Sequence, residues 1–229
     1  MMKAVILCGG QGLRMKGCFG NTPKPLVEVQ GKPILEHIIH HYCLYGVSEF
    51  VLLVGANELA FRQFAERYKG SSVLIKVLQT GEDTPTGGRL AIASHLFKNE
   101  KNVLVTYGDG IANLNVDALV DQHISSGKGV TLTAVQPRLP FGLLDVDDSA
   151  SVISFIEKPM MPQLINGGFF VISTEVLKKL DLDSDFETDV LPSLVDKGEL
   201  GAYFHKGFWQ SMDTYKDVVR LNSMELPTL

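Results

Sequence analysis

Residues 3–25 read KAVILCGGQGLRMKGCFGNTPKP, and this stretch decides the class of fold. Lys3 to Cys8 forms a short apolar run that ends at glycines, which predicts a buried β-strand. The segment 9–25 is rich in glycine and contains two prolines, so it predicts a long loop. We therefore expect a buried strand with a ligand-binding loop at its carboxyl end.

The first half of the chain alternates between helical and strand patterns. The predicted helices cover 33–46, 58–69, 88–97 and 115–126. The predicted strands cover 49–55, 71–79, 102–107 and 130–136. This alternation predicts a mostly parallel sheet with helices on both faces. Such sheets bind ligands beyond the carboxyl ends of their strands, so the loops after Cys8, Gln79 and Tyr107 should open on one edge.

The second half changes character. Two short apolar stretches flank 147–149 and predict a hairpin, and INGGFFVIS (165–173) predicts another strand. The remaining predicted elements are helical stretches near 174–180 and 186–197, strands in LGAYFH (200–205) and GFWQ (207–210), and a helix at about 213–224. We expect Pro192 to bend the second helical stretch. We interpret the chain as one α/β domain with a small β-containing C-terminal subregion.

Composition limits the functions that the chain can have. The 229 residues carry a net charge of −5, which gives no basic field for nucleic acid or an anionic membrane. Cys8, Cys18 and Cys43 form no CxxC pair, so they predict neither a zinc site nor a disulfide framework. The first apolar run is too short for a signal peptide or a membrane span, and we expect a cytoplasmic protein.

The glycine loop carries the first functional signal. Gly9, Gly10 and Gly12 let the backbone approach a ligand closely, and Arg14 and Lys24 bring positive charge to the same loop. A dinucleotide fingerprint does not fit, because the position of its third glycine holds methionine. A Walker A loop does not fit either, because no serine or threonine follows a Gly-Lys pair. A plain turn remains an alternative.

A second signal is the sequence TYGDG (106–110), which follows the apolar run of a predicted strand. Asp109 stands there between two glycines, at the edge of the sheet where a ligand would bind. Such a carboxylate could belong to an Asp-Gly turn, or it could hold a metal ion.

Taken together, the motifs resemble those of the sugar-1-phosphate nucleotidyltransferases, and more narrowly their cytidylyltransferase branch. KAVILCGGQGLRM and PKPLVEVQGKPIL are similar to the N-terminal signature of that family. Further similar stretches run in order along the chain: TGGRL (86–90), TYGDG (106–110), FGLLDV (141–146), EKP (157–159), INGGFFV (165–171) and GFWQSMDT (207–214).

The resemblance implies a Rossmann-like nucleotidyltransferase (GT-A-like) fold, with a mixed, mostly parallel sheet flanked by helices. It implies one domain over 1–229, with a nucleotide-binding half at about 1–136 and an acceptor-phosphate-binding half at about 137–229. The implied reaction joins CTP and a sugar 1-phosphate, such as glucose 1-phosphate, to give a CDP-sugar and pyrophosphate. Mg²⁺ is the implied cofactor, and a homo-oligomer of unknown size is the implied assembly.

The resemblance also assigns roles to residues of this chain. The implied catalytic residues are Arg14, Lys24, Asp109 and Lys158, and the implied metal ligands are Asp109 and Asp213. The implied acceptor-binding residues are Glu157, Lys158, Asn166 and Gly167. The implied nucleotide-binding residues are Leu7, Cys8, Gly9, Gly10, Gln11, Gly12, Leu13, Arg14, Lys24, Thr84, Gly87, Arg89 and Asp109.

Each assignment has a structural alternative. Asp213 precedes a predicted helix and could serve as its N-cap. Arg14, Lys24 and Lys158 could be solvated surface charges, and Asn166 could be a turn residue. Gly87, followed by Gly88, could let the backbone pass near the base or could suit the start of a helix.

The chain departs from the family pattern at three places. Leu13 replaces a threonine or serine, Gln79 replaces an acidic residue, and the segment between Tyr68 and Gln79 is short. These departures leave open another acceptor phosphate, and the base could be that of UTP, dTTP or GTP. A nucleotide-sensing module without catalysis is an alternative of a different class.

Overall fold

The structure is a computed structural model that describes residues 2–10 and 19–227. The strands in this part of the chain are β1 (Ala4–Cys8), β2 (Glu28–Val29), β3 (Lys32–Pro33), β4 (Glu49–Val54), β5 (Leu74–Gln79), β6 (Asn102–Tyr107), β7 (Gly110–Ala112), β8 (Val130–Val135), β9 (Leu143–Val146), β10 (Val152–Ile156), β11 (Ile165–Ser173), β12 (Leu200–His205) and β13 (Trp209–Ser211).

The helices of the same residues are α1 (Ile34–Leu44), α2 (Glu58–Glu66), α3 (Thr86–Ala93), α4 (Val116–Ser126), α5 (Thr174–Leu177), α6 (Leu191–Asp196) and α7 (Tyr215–Ser223). Shorter 3-10 helices occupy Lys24–Leu26 and Ser94–Phe97, and a π-helix occupies Phe186–Val190. No helix within residues 2–10 and 19–227 is long and apolar enough to cross a membrane.

A seven-stranded sheet in the order β12-β8-β11-β6-β1-β4-β5 forms the centre of the fold. The paired neighbours run parallel except at β11, which is antiparallel to both β6 and β8. The predicted mixed, mostly parallel sheet is therefore confirmed. β11 and β12 belong to the same sheet as the strands of the first half. The C-terminal subregion expected from the sequence therefore shares the central sheet with the first half.

Apolar side chains cover both faces of this sheet. In β1, Ala4, Ile6 and Cys8 pack into one core, whereas Val5 and Leu7 pack into the other. The first core also receives buried residues of α1, α2, α4 and α7, and the second receives those of α3, α5 and α6. Because successive side chains of a strand face opposite sides, a strand that is buried on both faces reads as a continuous apolar run.

Most predicted elements are confirmed with small shifts at their ends. The predicted helix at 186–197 is a π-helix followed by α6, and Pro192 lies in the first turn of α6, where its missing N–H is tolerated. β7 and β13, strands of three residues each, pair in a small antiparallel sheet. The sequence did not predict this pairing. This small sheet lies directly beside the predicted aspartates.

The predicted hairpin is confirmed as β9 and β10, which pair with each other in a separate two-stranded sheet. One carboxylate oxygen of Asp147 accepts hydrogen bonds from the backbone of Ser149 and Ser151 at 2.9 Å each and shapes the turn. Large apolar side chains of this hairpin are exposed, including Ile153 and Phe155. The hairpin leads directly into the predicted acceptor-binding residues Glu157 and Lys158.

Candidate active site

A cavity of about 500 Å³ opens at the edge of the sheet where β1 and β6 end and β11 begins. The predicted site residues in its wall are Leu7, Cys8, Gly9, Gly10, Lys24, Arg89, Asp109, Asn166, Gly167 and Asp213. The loops after β1 and β6 therefore open on one edge, as predicted. Gln11, Gly12, Leu13 and Arg14 lie outside the described residues, and their predicted contacts with nucleotide stay predictions.

The centre of the cavity is a bridge between one lysine and two aspartates. The Nζ atom of Lys24 lies 2.6 Å from Oδ2 of Asp109 and 2.8 Å from Oδ1 of Asp213. The lysine side chain is 14% exposed, whereas the two carboxylates are 30% and 39% exposed. Burial disfavours the charged ammonium, but both carboxylates outweigh that effect and raise the pKa of Lys24.

The unpredicted small sheet explains how the two aspartates meet. β13 pairs antiparallel with β7, and the backbone N–H of Met212 donates to the carbonyl of Asp109 at 2.8 Å. Met212 is fully buried and anchors the segment that ends at Asp213. The N-cap of α7 is Thr214, which forms a capping box with Asp217. Asp213 is thus not the N-cap, and its carboxylate points to Lys24.

This geometry fits a divalent cation. Asp109 and Asp213 already converge on one positive group, and hard carboxylate oxygens are the ligands that Mg²⁺ prefers. In the described part of the chain there is no cluster of three or more His, Cys, Asp or Glu side chains suited to a metal. Two protein ligands suffice for Mg²⁺, which usually keeps water and substrate phosphates in its other positions.

Arg89 lines the cavity and also makes an extensive set of contacts within the protein, while its predicted nucleotide contact stays a prediction. Its guanidinium is buried, with the residue 4% exposed. It donates to the hydroxyl of Thr80 at 2.6 Å and to the carbonyls of Gly81, Glu82 and Gly9 at 2.8, 3.0 and 3.0 Å. Four hydrogen bonds thus commit the guanidinium to the protein, and Arg89 holds the start of the glycine loop against residues 80–82.

Glycine is required at position 9 because of this contact. A Cβ atom there would lie 2.1 Å from Cζ of Arg89, so any larger residue would displace the guanidinium. Burial lowers the pKa of Arg89, but arginine remains charged at neutral pH. The positive charge therefore stays at the cavity wall even though its donors contact protein atoms.

The Gly87–Gly88 pair allows a close approach between two segments of the protein. A Cβ on Gly88 would lie 2.0 Å from the carbonyl oxygen of Leu182, and one on Gly87 would lie 2.6 Å from that of Ser184. Gly87 does not line the cavity, and neither does Thr84, whose hydroxyl donates to the carbonyl of Thr80 at 2.5 Å. Their predicted nucleotide contacts stay predictions, whereas their packing roles are visible.

Glu157 and Lys158 also lie outside the cavity wall. They follow β10, and their side chains pair with each other at 3.0 Å while both remain more than half exposed. Lys158 has a φ of +47°, a conformation that is uncommon for a residue other than glycine and that clusters at functional sites. The unusual backbone supports a functional role for Lys158, although the contact with an acceptor stays a prediction.

The cavity wall near the start of β11 contains residues that the sequence analysis did not assign to the site. Tyr107 and Trp209 line the wall, and the indole N–H of Trp209 donates to the carbonyl of Gly167 at 2.7 Å. The Tyr107 hydroxyl contacts Asn166 and also Glu187, which comes from the π-helix. Burial and then the Glu187 carboxylate raise the pKa of Tyr107, so its hydroxyl keeps its proton. The FETDV sequence at 186–190 carried no signal that we could have read as a site.

The mixed sheet, the glycine segment at its edge and the paired carboxylates define an α/β protein that binds its ligand beyond the carboxyl ends of the strands. Residues 3–226 match the family described as "Nucleotidyl transferase". The chain belongs to this family, and the resemblance to its sugar-1-phosphate nucleotidyltransferases is confirmed.

Individual relatives match over nearly their whole length. A Bacillus subtilis protein named "Probable glucose-1-phosphate cytidylyltransferase" is 40% identical over 245 aligned positions, covering 97% of this chain and 96% of that protein. Glucose-1-phosphate cytidylyltransferase of Salmonella typhi is 38% identical, covering 97% and 95%. The crystal structure of HddC from Yersinia pseudotuberculosis shares the fold, with a TM-score of 0.74, 24% identity, and coverage of 97% of this chain and 98% of that one.

The alignment with the Bacillus subtilis protein is longer than the 229 residues of this chain. That relative therefore carries residues that this chain lacks. This agrees with the expected shortening, while its place between Tyr68 and Gln79 stays a prediction.

We predict that Arg89→Lys lowers the free energy of unfolding by about 1–3 kcal/mol, because a lysine ammonium cannot replace four hydrogen bonds to three carbonyls and a hydroxyl. Urea denaturation measures this change. The control is Arg62→Lys, which alters an exposed arginine on α2 that pairs with Glu58. Equal stabilities of the two variants would contradict the assigned role of Arg89.

Proposed function

We propose that this protein transfers the cytidylyl group of CTP to a sugar 1-phosphate, with glucose 1-phosphate as the first acceptor to test. The observation that carries the proposal is the convergence of Asp109 and Asp213 on the Lys24 ammonium inside the cavity. It occurs in a chain of the nucleotidyl transferase family, at the edge of the sheet expected to bind ligand. The choice of CTP and of the acceptor is supported by the names of relatives that are 38–40% identical.

The reaction needs one substitution at phosphorus. An oxygen of the sugar phosphate forms a bond with the α-phosphorus of CTP, and the bond from that phosphorus to the oxygen that bridges to the β-phosphorus breaks. The bonding electrons leave with pyrophosphate, and the product is a CDP-sugar. Because the two substrates react directly, the protein has to position them and to offset their negative charge.

The nucleotide side of the cavity suits these tasks. Gly9 and Gly10 bring the backbone close to where the phosphates would lie, and Arg89 fixes Gly9 in place. Asp109 and Asp213 would hold Mg²⁺, whose charge would offset that of the triphosphate. In this arrangement, the ammonium of Lys24 is left to contact phosphate oxygens, together with Arg14.

The acceptor side is built from the start of β11 and the segment after β10. In the proposal, Asn166 and Gly167 contact the sugar, and Lys158 binds its phosphate with Glu157 beside it. Residues 1–136 then form the nucleotide-binding half and 137–229 the acceptor-binding half, with Asp213 returning to the metal position. Self-association stays a prediction, which the exposed apolar residues of the β9–β10 hairpin support.

The proposal predicts which substrates react. Purified protein with Mg²⁺, glucose 1-phosphate and each of CTP, UTP, dTTP, GTP and ATP should release pyrophosphate at least about tenfold faster with CTP, equivalent to ~1.4 kcal/mol of discrimination. A panel of other hexose and heptose 1-phosphates with CTP then identifies the preferred acceptor. A faster reaction with another nucleotide would overturn the base assignment, and no pyrophosphate release with any pair would favour a nucleotide sensor.

Asp109→Asn should reduce kcat/KM at least about 100-fold, because it removes the charge of one of the two carboxylates that would hold Mg²⁺ against the phosphates. Steady-state kinetics across a range of Mg²⁺ concentrations measures the loss and any rise in the Mg²⁺ needed. The control is Asp121→Asn, which makes the same charge change at an exposed position of α4. Turnover near that of the wild type would remove Asp109 from the metal role.

Lys158→Ala should raise the KM for the sugar 1-phosphate about 10- to 100-fold, because a hydrogen bond to a charged group is lost. The KM for CTP should stay nearly constant. Lys179→Ala removes an exposed lysine elsewhere and serves as the control. An equal rise in both KM values would contradict the assignment of Lys158 to the acceptor phosphate.

A further inference from the structure

Glu187 does not line the cavity, but it makes hydrogen bonds with two residues that do. It is half-buried in the π-helix, and its Oε1 atom accepts a hydrogen bond from the Tyr107 hydroxyl. Its Oε2 atom accepts one from the Thr86 hydroxyl at 2.5 Å. Thr86 and Tyr107 both line the cavity, whereas Glu187 does not. One carboxylate therefore restrains the start of α3 and the end of β6 together.

The position of Glu187 is itself well fixed. The side chain of Asp185 accepts from the backbone N–H groups of Glu187 and Thr188 at 3.0 and 2.8 Å. The backbone N–H of Phe186 donates to the Thr86 hydroxyl at 3.0 Å. The backbone N–H of Gly88 donates to the carbonyl of Ser184 at 2.9 Å, and the two neighbouring glycines permit this close approach.

The carboxylate of Glu187 determines which atom donates in the hydrogen bonds from Tyr107 to Glu187 and from Asn166 to Tyr107. An ionised carboxylate only accepts, so the Tyr107 hydroxyl must donate its single hydrogen to Glu187. The Tyr107 oxygen can then act towards Asn166 only as an acceptor. The Nδ2 atom of Asn166 lies 3.3 Å from that oxygen and donates to it.

A second contact fixes the other end of the Asn166 amide. The backbone N–H of Gly168 donates to Oδ1 of Asn166 at 2.9 Å, which is possible only when that position is oxygen. Both contacts therefore favour the same orientation of the side chain. Nδ2 carries two hydrogens and Tyr107 takes one, so the other is available to an oxygen atom of a ligand in the cavity.

We propose that Glu187 is a positioning residue: by holding Tyr107 as a donor, it orders the Asn166 amide so that the cavity presents an N–H donor to a hydroxyl oxygen of the sugar. This inference rests on the proposed function. It adds the residue that determines whether the sugar-binding part of the cavity presents a hydrogen-bond donor or an acceptor. Glu187 acts through Tyr107 and Asn166 and does not contact the substrate.

The test uses Glu187→Gln, Tyr107→Phe and the double variant. A glutamine at 187 can donate as well as accept, so the direction of the Tyr107 hydrogen bond is no longer fixed. The KM for the sugar 1-phosphate should rise about tenfold in each single variant, with kcat and the KM for CTP changed less than about twofold. In the double variant, the KM for the sugar 1-phosphate should rise no more than in the more affected single variant, because both changes disrupt the same Tyr107–Glu187 hydrogen bond.

A second readout does not depend on turnover. The side-chain amide resonances of Asn166, identified by their loss in Asn166→Asp, should shift in Glu187→Gln and in Tyr107→Phe of the ligand-free protein. Glu175→Gln, at an exposed glutamate of α5 that pairs with Lys178, should leave them unchanged. Unchanged Asn166 resonances in Glu187→Gln, additive effects in the double variant, or an equal rise of both KM values would each overturn the inference. If the wild type releases no pyrophosphate, the proposed function fails, and the resonances still test the hydrogen-bond order.

Discussion

The Lys24 ammonium lies between the carboxylates of Asp109 and Asp213, and this contact joins three distant parts of the chain. Lys24 is separated from the two aspartates by 85 and 189 positions. Two carboxylates brought this close together repel one another unless a cation lies near both. The pairing of β7 with β13 supplies the backbone that holds them there, so the last part of the chain completes a site that the first strand begins.

The site also depends on a second cation, Arg89, whose guanidinium makes hydrogen bonds to protein atoms. Burying a guanidinium is costly unless its donors find acceptors, and the two terminal nitrogens of Arg89 make four hydrogen bonds to protein oxygens. These bonds tie Gly9, which follows β1, to the loop after β5, and they do so past β4, which lies between those two strands in the sheet. The two cations thus differ in function: Arg89 fixes the cavity wall, whereas Lys24 holds the acidic pair.

Much of the fold could be predicted because its pattern is local. Strands buried on both faces read as apolar runs, and helices show their own period, so the sheet and most helices followed from the sequence. The strand in GFWQ was predicted and overlaps β13, but its pairing with β7 could not be predicted, since each strand has three residues and they meet only through tertiary contacts. The N-cap of α7 is a different case, because it is local: Thr214 precedes Asp217 by three residues, the spacing of a capping box, and this signal favoured Thr214 over Asp213 in the sequence itself.

The site was predictable where its residues lie in motifs that resemble those of the family, and Asp109 was also marked by its place after a predicted strand. Asp109, Lys24, Asn166 and Asp213 all line the cavity. The environment of Arg89 and the packing of Gly88 were not predictable, because sequence shows that a charge or a glycine is present but not which neighbour it meets. Glu187 was missed for a related reason: it does not line the cavity itself and contacts the wall through hydrogen bonds from Tyr107 and Thr86.

The antiparallel direction of β11 determines which segment of the chain can change in length without disturbing the central sheet. β11 begins at the edge where its antiparallel neighbours β6 and β8 end, so Asn166 and Gly167 enter the cavity from the opposite chain direction. The whole excursion between Val135 and Ile165, including the hairpin, leaves and rejoins the sheet at that same edge. Its length can therefore change without altering the register of the central strands, and the sugar pocket can diverge while the phosphate-binding edge is preserved.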